Sequence, residues 1–216
     1  FDLSMLIFSD VYFNSTRYFF VIDSQSNHNE MFIFSTRGCP YKCVFCASQN
    51  VHGHKVRSYS VDRIKQDILY YHEKYNIDRF IFYDDHFLIY KKRAIEILNF
   101  ISQKHLIAEV PTPAFFSINK ETAAAMRQAG IKEVNITIES GNSDTLKNII
   151  HKPGDLKRAE EAVDCLHREG IVVVSNILIG LPGETAQSID KGLSYLMTTE
   201  IDWFQCFVVA PLPGSE

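Results

Sequence analysis

The sequence predicts an α/β domain in which helices cover a largely parallel sheet. Three observations point there. From residue 31 onward, short apolar runs alternate with longer stretches whose apolar residues recur at helical spacing. The short runs are nearly continuously apolar, the pattern of strands buried on both faces. Chemically capable polar residues gather just after those runs, and barrels and doubly wound sheets both build their sites at the carboxyl ends of strands.

Residues 17–23 have β-propensity and residues 24–30 form a polar turn, so residues 1–29 are expected to be a hairpin or linker extension before the core at 30–216. Residues 31–34 form the first core strand. Ser60 can cap a helix that places Ile64, Ile68, Tyr71 and Tyr75 on one face. Residues 79–83 are an unbroken apolar strand ending in Asp84-Asp85-His86. The next helix, Lys91–Gln103, turns Ala94, Ile95, Leu98 and Ile101 inward, and residues 106–110 form a strand stopped by Pro111 and Pro113. Asn119 caps a helix that Gly130 ends, and residues 133–138 lead to Glu139-Ser140-Gly141. Asp155 caps a helix carrying Ala159, Ala162, Val163 and Leu166, which Gly170 stops. Residues 171–179 run into Gly180-Leu181-Pro182-Gly183-Glu184, a helix follows through Ile189, Leu193 and Leu196, and residues 203–209 end at Pro211-Leu212-Pro213-Gly214-Ser215.

At 216 residues and 46% hydrophobic, the chain can bury one sizeable core, and 22% charged residues with 12% aromatics argue against disorder. A net charge of −4 offers no basic footprint, so general nucleic-acid binding is not expected. The apolar runs are too short and too interrupted for a membrane span, and no signal-peptide pattern is present, so a cytoplasmic protein is expected. The chain starts at Phe1 without an initiator Met, which suggests a piece of a longer protein.

The densest chemistry is Cys39-Pro40-Tyr41-Lys42-Cys43-Val44-Phe45-Cys46, a C-x3-C-x2-C run directly after the first core strand. Clustered thiols in a chain of five cysteines fit metal binding in a reducing compartment better than a disulfide framework. Convergent thiolates select iron–sulfur clusters, zinc or copper(I). Zinc would need a fourth ligand, His52 or His54, which leaves a zinc-stabilised Cys3His binding module as one alternative. An iron–sulfur cluster with one iron open to an outside ligand is the other. Arg37, Lys55 and Arg57 are basic residues beside the loop, and Cys165 and Cys206 are expected to be buried core thiols.

Beyond the cysteines, Thr36-Arg37-Gly38-Cys39-Pro40, Tyr83-Asp84-Asp85-His86-Phe87, Ile138-Glu139-Ser140-Gly141-Asn142, Ile179 through Thr185 and Pro211 through Glu216 follow in order. Together they resemble the radical S-adenosylmethionine (SAM) superfamily, whose mark is C-x3-C-x-aromatic-C with Phe45 as the aromatic, and specifically the branch often fused to a cobalamin-binding domain. The resemblance implies a partial (β/α)6 TIM-like barrel with a 4Fe-4S cluster on Cys39, Cys43 and Cys46 and SAM on its open iron. One-electron cleavage of SAM to a 5′-deoxyadenosyl radical would then abstract hydrogen from an unknown small-molecule or peptide substrate. An electron donor such as flavodoxin or ferredoxin is implied, and cobalamin would come through a domain outside this chain. Asp84, Asp85 or His86 would meet the SAM ammonium, and Glu139 with Ser140 would meet the ribose or ammonium. Ile177 to Gly180 would lie along the adenine, with Phe45 flanking it. Radical methylation, and cyclisation or rearrangement without methyl transfer, both remain open at this point. Residues 106–117 carry prolines where the pattern differs, so no substrate contact is carried over there.

Overall fold

A computed structural model describes residues 19–22 and 29–210. Among the described residues are nine strands and six α-helices. Strand β1 (Phe19–Ile22) pairs antiparallel with β2 (Asn29–Ile33), so a hairpin opens the described chain. Strands β2, β5 (Arg79–Phe82) and β6 (Ile107–Glu109) are parallel neighbours, as are β7 (Glu133–Asn135), β8 (Val172–Ile179) and β9 (Trp203–Val208). Between β6 and β7 the ladder thins to a bond from Asn135 N to Pro111 O at 3.0 Å.

The six parallel strands therefore stand side by side in chain order, without the reversal that creates the crevice of a doubly wound sheet. Helices α2 (Val61–Tyr75), α3 (Lys91–Gln103), α4 (Lys120–Gln128), α5 (Leu156–Arg168) and α6 (Ala186–Leu196) make the crossovers. This is an open (β/α)6 barrel, as expected.

Helices α2, α4, α5 and α6 begin where short polar side chains satisfy first-turn donors. Ser60 accepts from Arg63 N and Asp155 from Arg158 N. Asn119 with Thr122, and Thr185 with Ser188, form reciprocal capping boxes. The main core lies between sheet and helices, joining Met31, Ile33, Phe80, Phe82, Val134 and Val173 to helix residues such as Ile64, Ile68, Leu98, Met126 and Leu166.

Several details differ from the sequence reading. In α3 the fully buried set is Ala94, Ile97, Leu98 and Ile101, while Ile95 only flanks the core. β7 is three residues long, because its continuation leaves regular pairing before Glu139. A nearly continuous apolar run predicts a buried β9, yet Trp203, Phe207 and Val208 are exposed, because among the described residues β9 is the last strand of its sheet and pairs with β8 alone. Cys206 lies on that strand and is exposed rather than a core thiol, whereas Cys165 packs against the core. Helix α1 (Ser48–His52), the two-residue ladder of β3 (Thr36–Arg37) with β4 (Arg57–Ser58), and a π-helix over Thr145–Ile150 carried no periodic signal. The terminal Pro211 to Ser215 segment lies outside the described residues, as does most of the 1–29 extension.

Candidate active site

The β3–β4 ladder closes the base of the cysteine loop like a clasp. Inside it, Gly38 sits at φ +94, and a Cβ there would lie 2.4 Å from Lys55 O, so only glycine fits. The loop is fixed by backbone bonds from Cys39 N to Gly53 O, Cys46 N to Cys43 O, and Val44 N to Ile150 O at the end of the π-helix. Phe45 and Val44 pack beside Leu146, Ile150 and Leu181 in a small second apolar cluster.

Cys39, Cys43 and Cys46 share one cavity of about 160 Å3 at the carboxyl end of the barrel with Tyr41, Phe45, Asp85, His86, Phe116, Thr137, Glu139 and Lys152. Larger cavities exist, about 260 Å3 between α5 and α6 and about 340 Å3 beside β6 and β7, but neither is lined by a thiol. Burial raises the Cys43 thiol to about 11, with repulsion from Cys46 and Cys39 adding to it against the pull of Lys152. Burial likewise raises Cys39. Cys39 and Cys43, which resist ionising beside the other thiols of the loop, suit a cationic metal centre, which removes both penalties.

Among the described residues no three His, Cys, Asp or Glu side chains converge closely enough for a single ion. Three thiols lining one cavity that neither His52 nor His54 lines fit a polynuclear cluster, which takes one thiolate per iron, better than one tetrahedral zinc. The imidazoles suggested as a fourth zinc ligand lie elsewhere. His52 is held between Asp85, with Nδ1 2.8 Å from Oδ2, and Arg37, with Nη1 3.1 Å from Nε2. Neither His52 nor His54 lines the cavity. The donors present therefore fit an iron–sulfur cluster.

The Asp84-Asp85-His86 run divides its labour. Asp84 faces away from the cavity: its carboxylate accepts from Ser35 N, Thr36 N and Ser35 Oγ, each at 2.6 Å, and ties β5 to the start of the loop. Burial pushes Asp84 up to about 6 against those donors. Asp85 lines the cavity and accepts from Gly38 N at 2.8 Å, so it both holds the loop and presents a carboxylate. His86 is buried in the wall, 3.1 Å from Ser117 Oγ, and burial lowers it to about 4, with Lys152 and Lys91 acting in the same direction. Its ring forms a trio with Tyr41 and Phe116, at centroid distances of 5.1 to 5.7 Å.

Glu139 is nearly inaccessible, has φ +74, and pairs with Lys152 Nζ at 3.0 Å. Lys152 also donates to Thr137 Oγ1 at 3.0 Å. With side-chain exposures of 6% and 8%, this is a buried ion pair on the cavity wall. Ser140 and Ile177 line a separate, much smaller space, and Gly180 stands exposed at the end of β8 with φ +83. Gly141 lies against α6, where a Cβ would meet Gly192 O at 2.1 Å.

The sequence reading missed Lys152, Tyr41, Phe116 and Thr137. Lys152 stands 13 residues beyond Glu139 in no periodic relation to it, and its only signal is a lone cation between an apolar run and Pro153-Gly154.

Fold and site together define a class: an open (β/α)6 barrel enzyme with a thiol-lined centre at its catalytic end. The Radical SAM superfamily matches residues 33–196, so the chain belongs to that superfamily. It is 31% identical over 184 residues to an uncharacterized methyltransferase of Pyrococcus horikoshii, covering 85% of this chain and 40% of that protein. It is 27% identical over 191 residues to the cytidylyl-2-hydroxyethylphosphonate methyltransferase of Streptomyces wedmorensis, covering 85% and 36%. The chain thus spans two fifths or less of these relatives' length. Among solved structures, the radical SAM methyltransferase TsrM from Kitasatospora setae, with cobalamin and a [4Fe-4S] cluster bound, superposes with a TM-score of 0.72 at 17% identity, over 82% of this chain and 34% of that one. That likeness establishes the shared fold. Among the described residues no helix is long and apolar enough to cross a membrane.

Proposed function

We propose that this chain is the catalytic core of a cobalamin-dependent radical SAM methyltransferase. The observation that carries the reading is the placing of all three loop thiols on one cavity wall with Asp85, His86 and the Glu139–Lys152 pair. Cys39, Cys43 and Cys46 would hold a 4Fe-4S cluster, and that cluster when bound supplies the single electron that cleaves SAM to methionine and a 5′-deoxyadenosyl radical.

The chain's own residues bind and orient. SAM brings an ammonium, a carboxylate and a sulfonium, so its site must offer both signs of charge. Asp85 offers a carboxylate to the ammonium. His86, neutral because it is buried, adds hydrogen bonding without repelling the cation. Glu139 offers its carboxylate to the ribose hydroxyls or the ammonium, and Lys152, which donates to Glu139, offers a further N–H to the SAM carboxylate. Ile177 to Gly180 present backbone to the adenine. Tyr41, Phe116 and Phe45 wall off water, which protects a reactive carbon radical from competing hydrogen donors.

Methylation is favoured over cyclisation because both relatives described above are named methyltransferases. Cobalamin, the substrate and an electron donor such as flavodoxin or ferredoxin are part of the same proposal, with cobalamin held by polypeptide outside these 216 residues. Anaerobic reconstitution with iron and sulfide should yield about four irons and four sulfides per chain, lost when the three cysteines become serine, and dithionite should release 5′-deoxyadenosine from SAM. In the complete protein, S-adenosylhomocysteine should accompany it. Zinc at one equivalent without labile sulfide would overturn the cluster, and deoxyadenosine without S-adenosylhomocysteine would overturn methylation.

A further inference from the structure

Two registers meet just below Glu139. Asn135 pairs with Val174, yet Glu139 bridges Ile177, so four residue steps on the β7 side face three on β8. One extra residue is accommodated there, which makes a β-bulge, a device that re-aims side chains beside sites. Within it Ile138 N turns back to Ile136 O at 2.8 Å.

Ser175 fills the bulge from the neighbouring strand. Its hydroxyl donates to Ile136 O at 2.8 Å and accepts from Ile138 N at 3.3 Å. Ser175 is 0% exposed and follows the buried Val173 and Val174 on a strand whose one other polar residue is its neighbour Asn176. A hydroxyl there is unfavourable unless bonded, and its bonds go to the bulge. Immediately beyond, Glu139 takes a left-handed conformation, which a residue other than glycine keeps only when its surroundings over-determine it. Glu139 N donates to Asn176 O at 2.9 Å, Leu178 N donates to Glu139 O at 2.7 Å, and the side chain takes Lys152. Thr137 at the bulge shares the same ammonium.

We propose that Ser175 is a positioning residue: by holding the bulge, its hydroxyl sets Glu139 and Thr137 together around Lys152 and so preorganises the carboxylate that SAM meets. The inference rests on the SAM reading of the cavity and adds a residue that never touches the ligand.

The test separates positioning from packing. In the metal-free protein, Ser175→Ala should speed amide hydrogen exchange at Ile138 and Glu139 about five- to tenfold, the size expected for one lost buried hydrogen bond. Val173→Ala, a core truncation on the same strand, should lower the melting temperature more while leaving those amides relatively protected. In the cluster-reconstituted protein, Ser175→Ala should weaken SAM binding by a similar factor and Val173→Ala should not. Glu139→Gln should weaken SAM binding too, and adding Ser175→Ala to it should change little, because a residue acting through Glu139 has nothing left to act on. Multiplying effects in the double variant, or SAM affinity unchanged in Ser175→Ala, would overturn the inference while leaving the site reading intact. Failure of the reconstituted wild type to bind SAM would overturn both.

Discussion

Asp84 and His86 stand two residues apart at the end of β5, and burial moves them in opposite directions along the pH axis. His86 titrates near 4 in the fold against about 6.5 in the unfolded chain. The unfolded chain therefore takes up this proton first. The stability linked to His86 is complete above about pH 6.5 and is lost as pH falls toward 4, by up to about 3 kcal/mol. Asp84 is raised from 3.8 to about 6, so its contribution is complete below 3.8 and is lost as pH rises toward 6. The two slopes oppose each other in one window. Melting temperatures of the metal-free protein between pH 4 and 6.5 should expose them separately: relative to wild type, His86→Gln should tilt the profile downward with rising pH, and Asp84→Asn upward. Parallel profiles for all three proteins would contradict this account of the two side chains. The run itself was legible as a strand-end motif, but which member faced inward was not. That depended on Ser35, 49 positions earlier, arriving beside Asp84.

At the scale of elements, capping residues and turn glycines were readable locally because their partners lie within four positions, as with Asn119 and Thr122. Contacts between elements were not. Gly141 follows a strand and reads as a turn residue, yet its lack of a side chain serves the approach of α6, whose Gly192 carbonyl would stand 2.1 Å from a Cβ. Gly141→Ala should force the β7 loop from α6 and cost about 2–3 kcal/mol in urea unfolding, the range for overpacking against backbone that cannot yield. Gly170→Ala, where nothing lies within 4 Å, serves as the comparison, with its cost coming from φ +67 alone. Equal losses in the two variants would remove the packing explanation. The bulge beyond β7 was invisible in sequence for a related reason: residues 133–138 alternate polar and apolar without a break, and only pairing with β8 shows the slip.

For the described residues as a whole, six strands do not close a barrel, and among them β9 is left with Phe207 45% and Val208 76% exposed on a strand with a pairing partner along one edge. An unpaired edge templates association. Phe207→Lys with Val208→Lys should lower concentration-dependent self-association in sedimentation velocity while changing stability by no more than about 0.5 kcal/mol per exposed site. A large loss of stability would mean that those side chains are buried in solution.

Alternating apolar runs and helical periodicity were enough to specify an α/β domain with a largely parallel sheet, because each element's inward face is written in its own residues, whereas the barrel was implied only by the resemblance of the ordered motifs. The C-x3-C-x2-C spacing likewise marked the thiol centre, since a short loop can gather its own ligands without help. What waited for folding was every relation between distant parts. Lys152 became the partner of Glu139, Asp84 became an anchor rather than a ligand, and Ser175 became the filling of a bulge in the adjacent strand. Those roles rest on distances across the barrel, and a linear pattern carries no term for distance between residues that only the closing of the sheet brings together.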